Sequence, residues 1–99
     1  MITTKVTSKT LIVFLNISIL DASDAADIKS QLKNLDIHEC EKVIIDMENV
    51  TFIDSSGIGA LLSFYKQIGS PLTLRYPTPA VLSVLELLRL HRVFEIEYK

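Results

Sequence analysis

The segment from Val43 to Gly59 most constrains what this chain can fold into. An apolar run, Val43-Ile44-Ile45, leads through a polar break into Phe52-Ile53-Asp54-Ser55-Ser56-Gly57. Beyond it Ile58, Leu61, Leu62 and Tyr65 recur at helical spacing. The change of period predicts a buried strand, a short loop and an amphipathic helix. Two hydroxyls therefore stand where a helix begins. Unpaired backbone N–H groups and the positive end of the helix dipole favour an anion at such a place.

The rest of the chain alternates in the same way. Thr4 to Thr7 and Leu11 to Ile17 read as two strands, with Ser8-Lys9-Thr10 as the turn between them. The second is apolar from Leu11 to Leu15, which suits a strand covered on both faces or nearly so. Ser23 or Asp24 can cap a helix carrying Ala25, Ile28 and Leu32. Gly69-Ser70-Pro71 is a stop signal for the helix that Asp54-Ser55-Ser56-Gly57 opens. Leu72, Leu74 and Tyr76 then alternate as a half-buried strand does. Thr78-Pro79 opens a last helix, Thr as cap and Pro at its first position, with Val81, Val84, Leu85 and Leu88 as its core stripe. Leu82, Leu85, Leu88 and Leu90 give that helix a broad apolar face. Val93 to Tyr98 closes with strict alternation. The order β-β-α-β-α-β-α-β implies parallel neighbours joined by right-handed crossovers, with an antiparallel hairpin at one edge. The expected fold class is α/β, a mixed β-sheet with helices packed against it, in one domain spanning residues 1–99.

Composition narrows the function. The chain of 99 residues is 48% hydrophobic and 22% charged, ordinary for a globular domain. Net charge is −2 and the pI is near 5.6. The basic residues are scattered along the chain, so neither a nucleic acid nor an anionic membrane surface is expected as partner. Cys40 is the only cysteine and has no internal disulfide partner; a lone thiol fits a reducing compartment. No signal peptide is read at Met1 to Lys5, and the longest apolar stretch, Leu11 to Leu20, is interrupted by Asn16 and Ser18 and too short to span a bilayer. A cytoplasmic location is the expectation.

Read without context, Asp54-Ser55-Ser56-Gly57 is a turn and a helix cap. The block around it says more. From Ile44 to Lys66 it runs buried strand, polar loop, aromatic–aliphatic–Asp-Ser-Ser-Gly, small residues and a helix ending in Tyr65-Lys66-Gln67. Leu20-Asp21 stands before the first helix, and Thr78-Pro79-Ala80-Val81 with Leu85 and Leu90 forms the last one. This layout closely resembles the STAS domain of the anti-sigma-factor antagonists, over essentially the full chain.

The resemblance implies a phosphorylatable partner-switching regulator in signal transduction and transcription regulation. The serine directly after the aspartate is the family's phosphoacceptor, here Ser55, with Ser56 as the alternative and the expected helix cap. The partner surface implied comprises Asp21, Asp54, Ser55, Ser56, Gly57 and Ile58. The partners implied are a GHKL-type serine-protein kinase that doubles as anti-sigma factor, and a PP2C-type phosphatase. No cofactor is expected on this chain; ATP and Mg belong to the kinase. The competing reading is a constitutive STAS adaptor of a transport or signalling assembly, with its serines only capping. Three departures accompany the resemblance. The glycine usual a few residues before the aspartate that Asp21 matches is missing from Ile17-Ser18-Ile19-Leu20-Asp21. Arg89 stands where a glycine is usual near the end of the last helix, and the segment between Tyr65 and Leu72 is short.

Catalysis and metal binding find no support. His38 and His91 lie far apart, and His38 with Cys40 is not a metal-ligand pattern. The nucleophile-elbow pattern Gly-x-Ser-x-Gly, a glycine-rich phosphate loop and kinase signatures are all absent. Asp46, Glu48 and Asp54 read as solvated or capping carboxylates, and no enzymatic activity is expected.

Overall fold

The computed structural model describes all of residues 1–99. The chain runs β1 (Ile2–Thr7), β2 (Thr10–Leu15), β3 (Ile19–Leu20), α1 (Ala25–Lys33), β4 (Lys42–Asp46), β5 (Phe52–Ile53), α2 (Ser55–Ile68), β6 (Leu72–Arg75), α3 (Pro79–Leu87), a 3-10 turn (Leu90–Arg92) and β7 (Glu95–Glu97). Five strands form one sheet in the order β1-β2-β4-β6-β7. The β1–β2 pair is antiparallel, whereas β2–β4, β4–β6 and β6–β7 are parallel. The mixed sheet with an antiparallel edge hairpin is the one expected from the periodicity.

Its strand order decides where the helices go. Each crossover moves one strand further in the same direction, so right-handed connections put α1, α2 and α3 on a single face. One cluster of buried side chains results. It combines Leu11, Val13, Leu15, Val43, Ile45, Leu72 and Leu74 of the sheet with Ile28, Leu32, Ile58, Leu61, Phe64, Val81 and Leu85 of the helices. The opposite face has no helical layer. Ile12 and Phe14 are only half-buried there, so β2 is not covered equally on both faces as its composition suggested. Asp46 also points to that face. It is not solvated but buried, accepting from Arg75 Nε at 3.1 Å and from an Arg75 terminal nitrogen at 2.9 Å. The guanidinium lies over the rings of Phe14 and Tyr76, 5.8 and 5.2 Å from their centroids.

Other differences are local. The hairpin turns on Ser8 and Lys9 alone, both at positive φ, and β2 starts at Thr10. The last strand is confined to Glu95–Glu97, because Leu90 to Val93 are taken up by the 3-10 turn and its end. Val81 and Leu85 are buried, but Leu88, expected in the core stripe, is 50% exposed and Leu87 is 82% exposed. Leu87 is the last residue of α3 and Leu88 its C-cap, so the core stripe stops at Leu85. Thr78 precedes α3 as its N-cap residue without a capping bond; its hydroxyl donates instead to the Val50 carbonyl at 2.8 Å.

Arg89 explains a departure noted in the sequence. Its φ is +58°, in the left-handed region where side chains are strained and glycine is not. Arg89→Gly is therefore expected to stabilise the domain by about 1 kcal/mol, net of the entropy that glycine adds to the unfolded chain. Urea denaturation of the two proteins measures this directly, and an equal or lower midpoint for the variant would refute it.

Candidate functional site

Four residues form a second, two-stranded sheet that the sequence did not announce. Strands β3 and β5 pair in parallel, Ile19 beside Phe52 and Leu20 beside Ile53. Thr51 and Phe52 donate their N–H groups to the Ser18 carbonyl, at 2.7 and 3.3 Å, and Thr51 Oγ1 bonds to Ser18 as well. Asp54 N–H donates to the Leu20 carbonyl at 3.2 Å. This ladder sets the loop that starts α1 alongside the residues that start α2.

Asp54 then joins the two helix starts. One carboxylate oxygen accepts from Gly57 N–H at 3.0 Å, and the other from Ala22 N–H at 3.2 Å. Asp54, rather than the expected Ser56, is therefore the N-cap of α2. The reason is geometric. Asp54 has an extended backbone and sits three residues before the N–H that it caps, whereas Ser55 and Ser56 already have helical geometry. Both serines are exposed, and with the cap supplied by Asp54 their hydroxyls are not needed to close the helix end. The N–H groups of Ser55 and Ser56 belong to the first turn, which has no intrahelical acceptor for them.

Gly57 is buried and cannot be other than glycine without movement. A Cβ there would stand 2.6 Å from the Leu20 carbonyl oxygen and 2.8 Å from Ile53 Cγ1. Ile58 is also buried, at 5% exposure. These two expected surface residues thus shape the site from beneath and present no side chain to a partner. Asp21 is half-buried and accepts from Ser23 N–H at 3.0 Å, while its carbonyl receives the N–H of Ala25. The structure brings Asp21, Asp54, Ser55 and Ser56 to one end of the molecule.

Two residues at that end escaped sequence reasoning. Ile19 is 50% exposed and Phe52 is 52% exposed, and they lie side by side across the β3–β5 pair. They form an exposed apolar pair at the same end as the two serine hydroxyls. Phe52 precedes a buried Ile53, but which of them faced solvent depended on a pairing that two-residue strands do not betray.

A five-stranded mixed sheet with three helices carries this helix start, and the fold is that of a known family. The STAS domain family matches the chain over residues 1–99. The chain belongs to the STAS domain family. Solved structures of similar fold include an anti-sigma factor antagonist from Mycobacterium paratuberculosis, 18% identical with a TM-score of 0.85, covering 100% of this chain and 86% of that one. The Bacillus cell-fate determinant SpoIIAA in its phosphorylated form is 20% identical with a TM-score of 0.68, covering 100% of this chain and 93% of that one. A sulfate transporter family protein from Wolinella succinogenes is 19% identical with a TM-score of 0.75, covering 95% of this chain and 81% of that one.

The STAS fold accounts for the architecture. No group of three or more His, Cys, Asp or Glu side chains could hold a metal ion. Cys40 is a free, half-buried thiol that lines a hollow with Val6, Lys9 and Glu39. No helix is long and apolar enough to cross a membrane.

Proposed function

We propose that this STAS domain is an anti-anti-sigma-type regulator whose partner binding is switched off by phosphorylation of Ser55. The observation that carries the reading is the exposed Ser55 hydroxyl at the first position of a helix capped by the aspartate before it. The cap leaves the hydroxyl free to react. The partner, a serine-protein kinase of GHKL type acting as anti-sigma factor, docks on the Ser55 end with Ile19 and Phe52 as apolar anchors. Its bound Mg-ATP supplies the phosphoryl group. Ser55 Oγ bonds to the γ-phosphorus, the bond to the β–γ bridging oxygen breaks, ADP leaves, and the hydroxyl proton passes to a base of the kinase. A PP2C-type phosphatase hydrolyses the ester and resets the protein. The chain itself catalyses nothing and works in the cytoplasm.

The physics of the switch follows from the helix start. A phosphate brings a charge of about −1.5 to −2, which the dipole and free N–H groups of α2 tolerate within the fold. At the interface the same dianion, next to the carboxylates of Asp54 and Asp21, repels acidic groups and must be desolvated. Binding is lost and the fold is kept. The similarity to SpoIIAA solved in a phosphorylated form supports this reading. The transporter-family neighbour supports the constitutive adaptor more weakly, because an adaptor has no use for a hydroxyl left free by a separate cap.

The test is intact-mass and phosphopeptide analysis after incubation with a GHKL-type anti-sigma kinase of the same organism and Mg-ATP. One phosphate on Ser55, absent from Ser55→Ala, is the expected result. Calorimetry should show Ser55→Ala binding that kinase as the unmodified protein does, and Ser55→Asp binding roughly 30-fold more weakly. Equal binding by both variants would sink the switch, and stable binding without any phosphate would favour the adaptor.

A further inference from the structure

The fold gathers charges that the sequence scatters. Lys29 and Lys33 are four residues apart on α1, and Lys66 lies on α2 across the groove between the two helices. All three are exposed, and none is among the ion pairs of the molecule, which are Lys9–Glu41, Arg75–Asp46 and Lys99–Glu48. No acidic residue occurs anywhere in α2, and Asp27, within α1, falls on the side of its helix away from Lys29 and Lys33. A chain of net charge −2 thus holds a strip of three lysines outside any ion pair, with Glu95, which lines a separate hollow with Lys66, as the acidic group at its far end. Lysines at i and i+4 repel one another by a few tenths of a kcal/mol, so folding gains nothing from the arrangement.

The strip is continuous with the serine end. Lys29 lines both the basic hollow, with Lys33, Ser63, Lys66 and Gln67, and a neighbouring one that reaches Ser56. The walls of the second are small, including Ala22, Ala26 and Gly59. A Cβ at Gly59 would meet nothing within 4 Å, so no contact inside the molecule requires a glycine there. A backbone can therefore approach closely at the serine end while charge is offered further along. From Ser56 to Lys66 the groove spans about 15 Å, three turns of helix.

We infer that the α1–α2 groove receives an acidic helix of the partner, its carboxylates meeting Lys29, Lys33 and Lys66 and its small residues lying against Ala26 and Gly59. The inference rests on the reading of the serine end as the partner-docking site and names the chemistry of the partner along it. Charge complementarity selects the occupant. Three lysines around one hollow, two of them at i, i+4, match carboxylates spaced at i, i+4, and neutralising them relieves the repulsion between Lys29 and Lys33. A nucleic acid would ask for a wider basic face than three side chains supply.

The probe is a synthetic alanine-based helix of about 16 residues, long enough to be helical in water, with glutamates at i, i+4 spacing on one face. Its counterpart carries glutamine at the same positions. Titration into isotope-labelled protein is expected to shift the amides of Ala26, Lys29, Gly59 and Ser63 with the glutamate peptide only. The affinity should fall as salt is raised, and at least about tenfold in the Lys29→Gln/Lys33→Gln/Lys66→Gln variant. The spectrum of that variant reports its own folding, and Lys5→Gln/Lys42→Gln serves as a control that should bind normally. Equal shifts from both peptides, shifts spread outside the groove, or undiminished binding by the triple variant would overturn the inference. So would inorganic phosphate reproducing the same shifts at the same concentration, which would mark a generic anion site. Failure of Ser55 phosphorylation would defeat the switch and leave these shifts in place; missing shifts with normal phosphorylation would defeat the groove alone.

Discussion

Gly57→Ala is expected to lower the thermal midpoint by roughly 10–20 °C, because its added methyl, unlike one at Gly59 or Gly69, has no space to occupy. The added Cβ would stand 2.6 Å from the Leu20 carbonyl oxygen, which is backbone, and 2.8 Å from the Ile53 and Leu20 side chains. That carbonyl cannot yield freely, since it accepts the Asp54 N–H within the β3–β5 region. Relief of the overlap must push the start of α2 away from β3, at a cost of about 2–3 kcal/mol. The displacement would also lengthen the bond from Ala22 N–H to Asp54, so partner binding should weaken together with stability. Gly59→Ala is the matched control. It lies one half-turn further on, has open space around its Cβ, and should raise stability by about 0.5–1 kcal/mol. Differential scanning calorimetry of the three proteins decides the matter, and equal midpoints for the two alanine variants would show that the close approach to Leu20 is not rigid.

Arg75→Met is expected to destabilise the domain by about 3 kcal/mol, although methionine fills much of the same space. The loss would come from Asp46, whose side chain is only 8% exposed and whose carboxylate would keep the Glu48 N–H as partner but lose its counter-charge. The double variant Asp46→Leu/Arg75→Met should recover most of that loss and lie within about 1 kcal/mol of the parent. Methionine keeps an apolar contact with Phe14 and Tyr76 where the guanidinium now stacks. Urea titration of the two single variants and the double closes the cycle. A double variant as unstable as the sum of the singles would show that the pair contributes through hydrogen-bond geometry rather than through neutralising a buried charge.

Much of the fold was legible because period reports burial. Val13, Val43, Ile45, Leu72 and Leu74 could be placed in strands, and Ile58, Leu61 and Val81 on helices, from spacing alone, and all lie in the core. Gly69 ends α2 at φ +64°, the left-handed cap that a glycine before Ser-Pro announces. Strand β3 and strand β5 were not legible. Two residues carry no period, and each is a strand only because the other lies beside it. Leu88 was misplaced for a related reason, since spacing gives the face of a helix but not the residue at which the helix ends, here Leu87.

The candidate site divides along the same line. Asp54-Ser55-Ser56-Gly57 contains its own chemistry, in that a strand leading into a helix must expose free N–H groups and hydroxyls at the junction. Which residue caps was decided by backbone geometry: Asp54 reaches both Gly57 and Ala22, and the serines are thereby left for solvent. Phe52 became a surface residue, and Lys29, Lys33 and Lys66 became neighbours, through contacts between segments distant along the chain. Local period and end chemistry reside in consecutive residues and can be read from them. Exposure, capping partners and clusters of charge depend on which remote segments come to lie together, and packing of α1 on α2 and of β3 on β5 created them here.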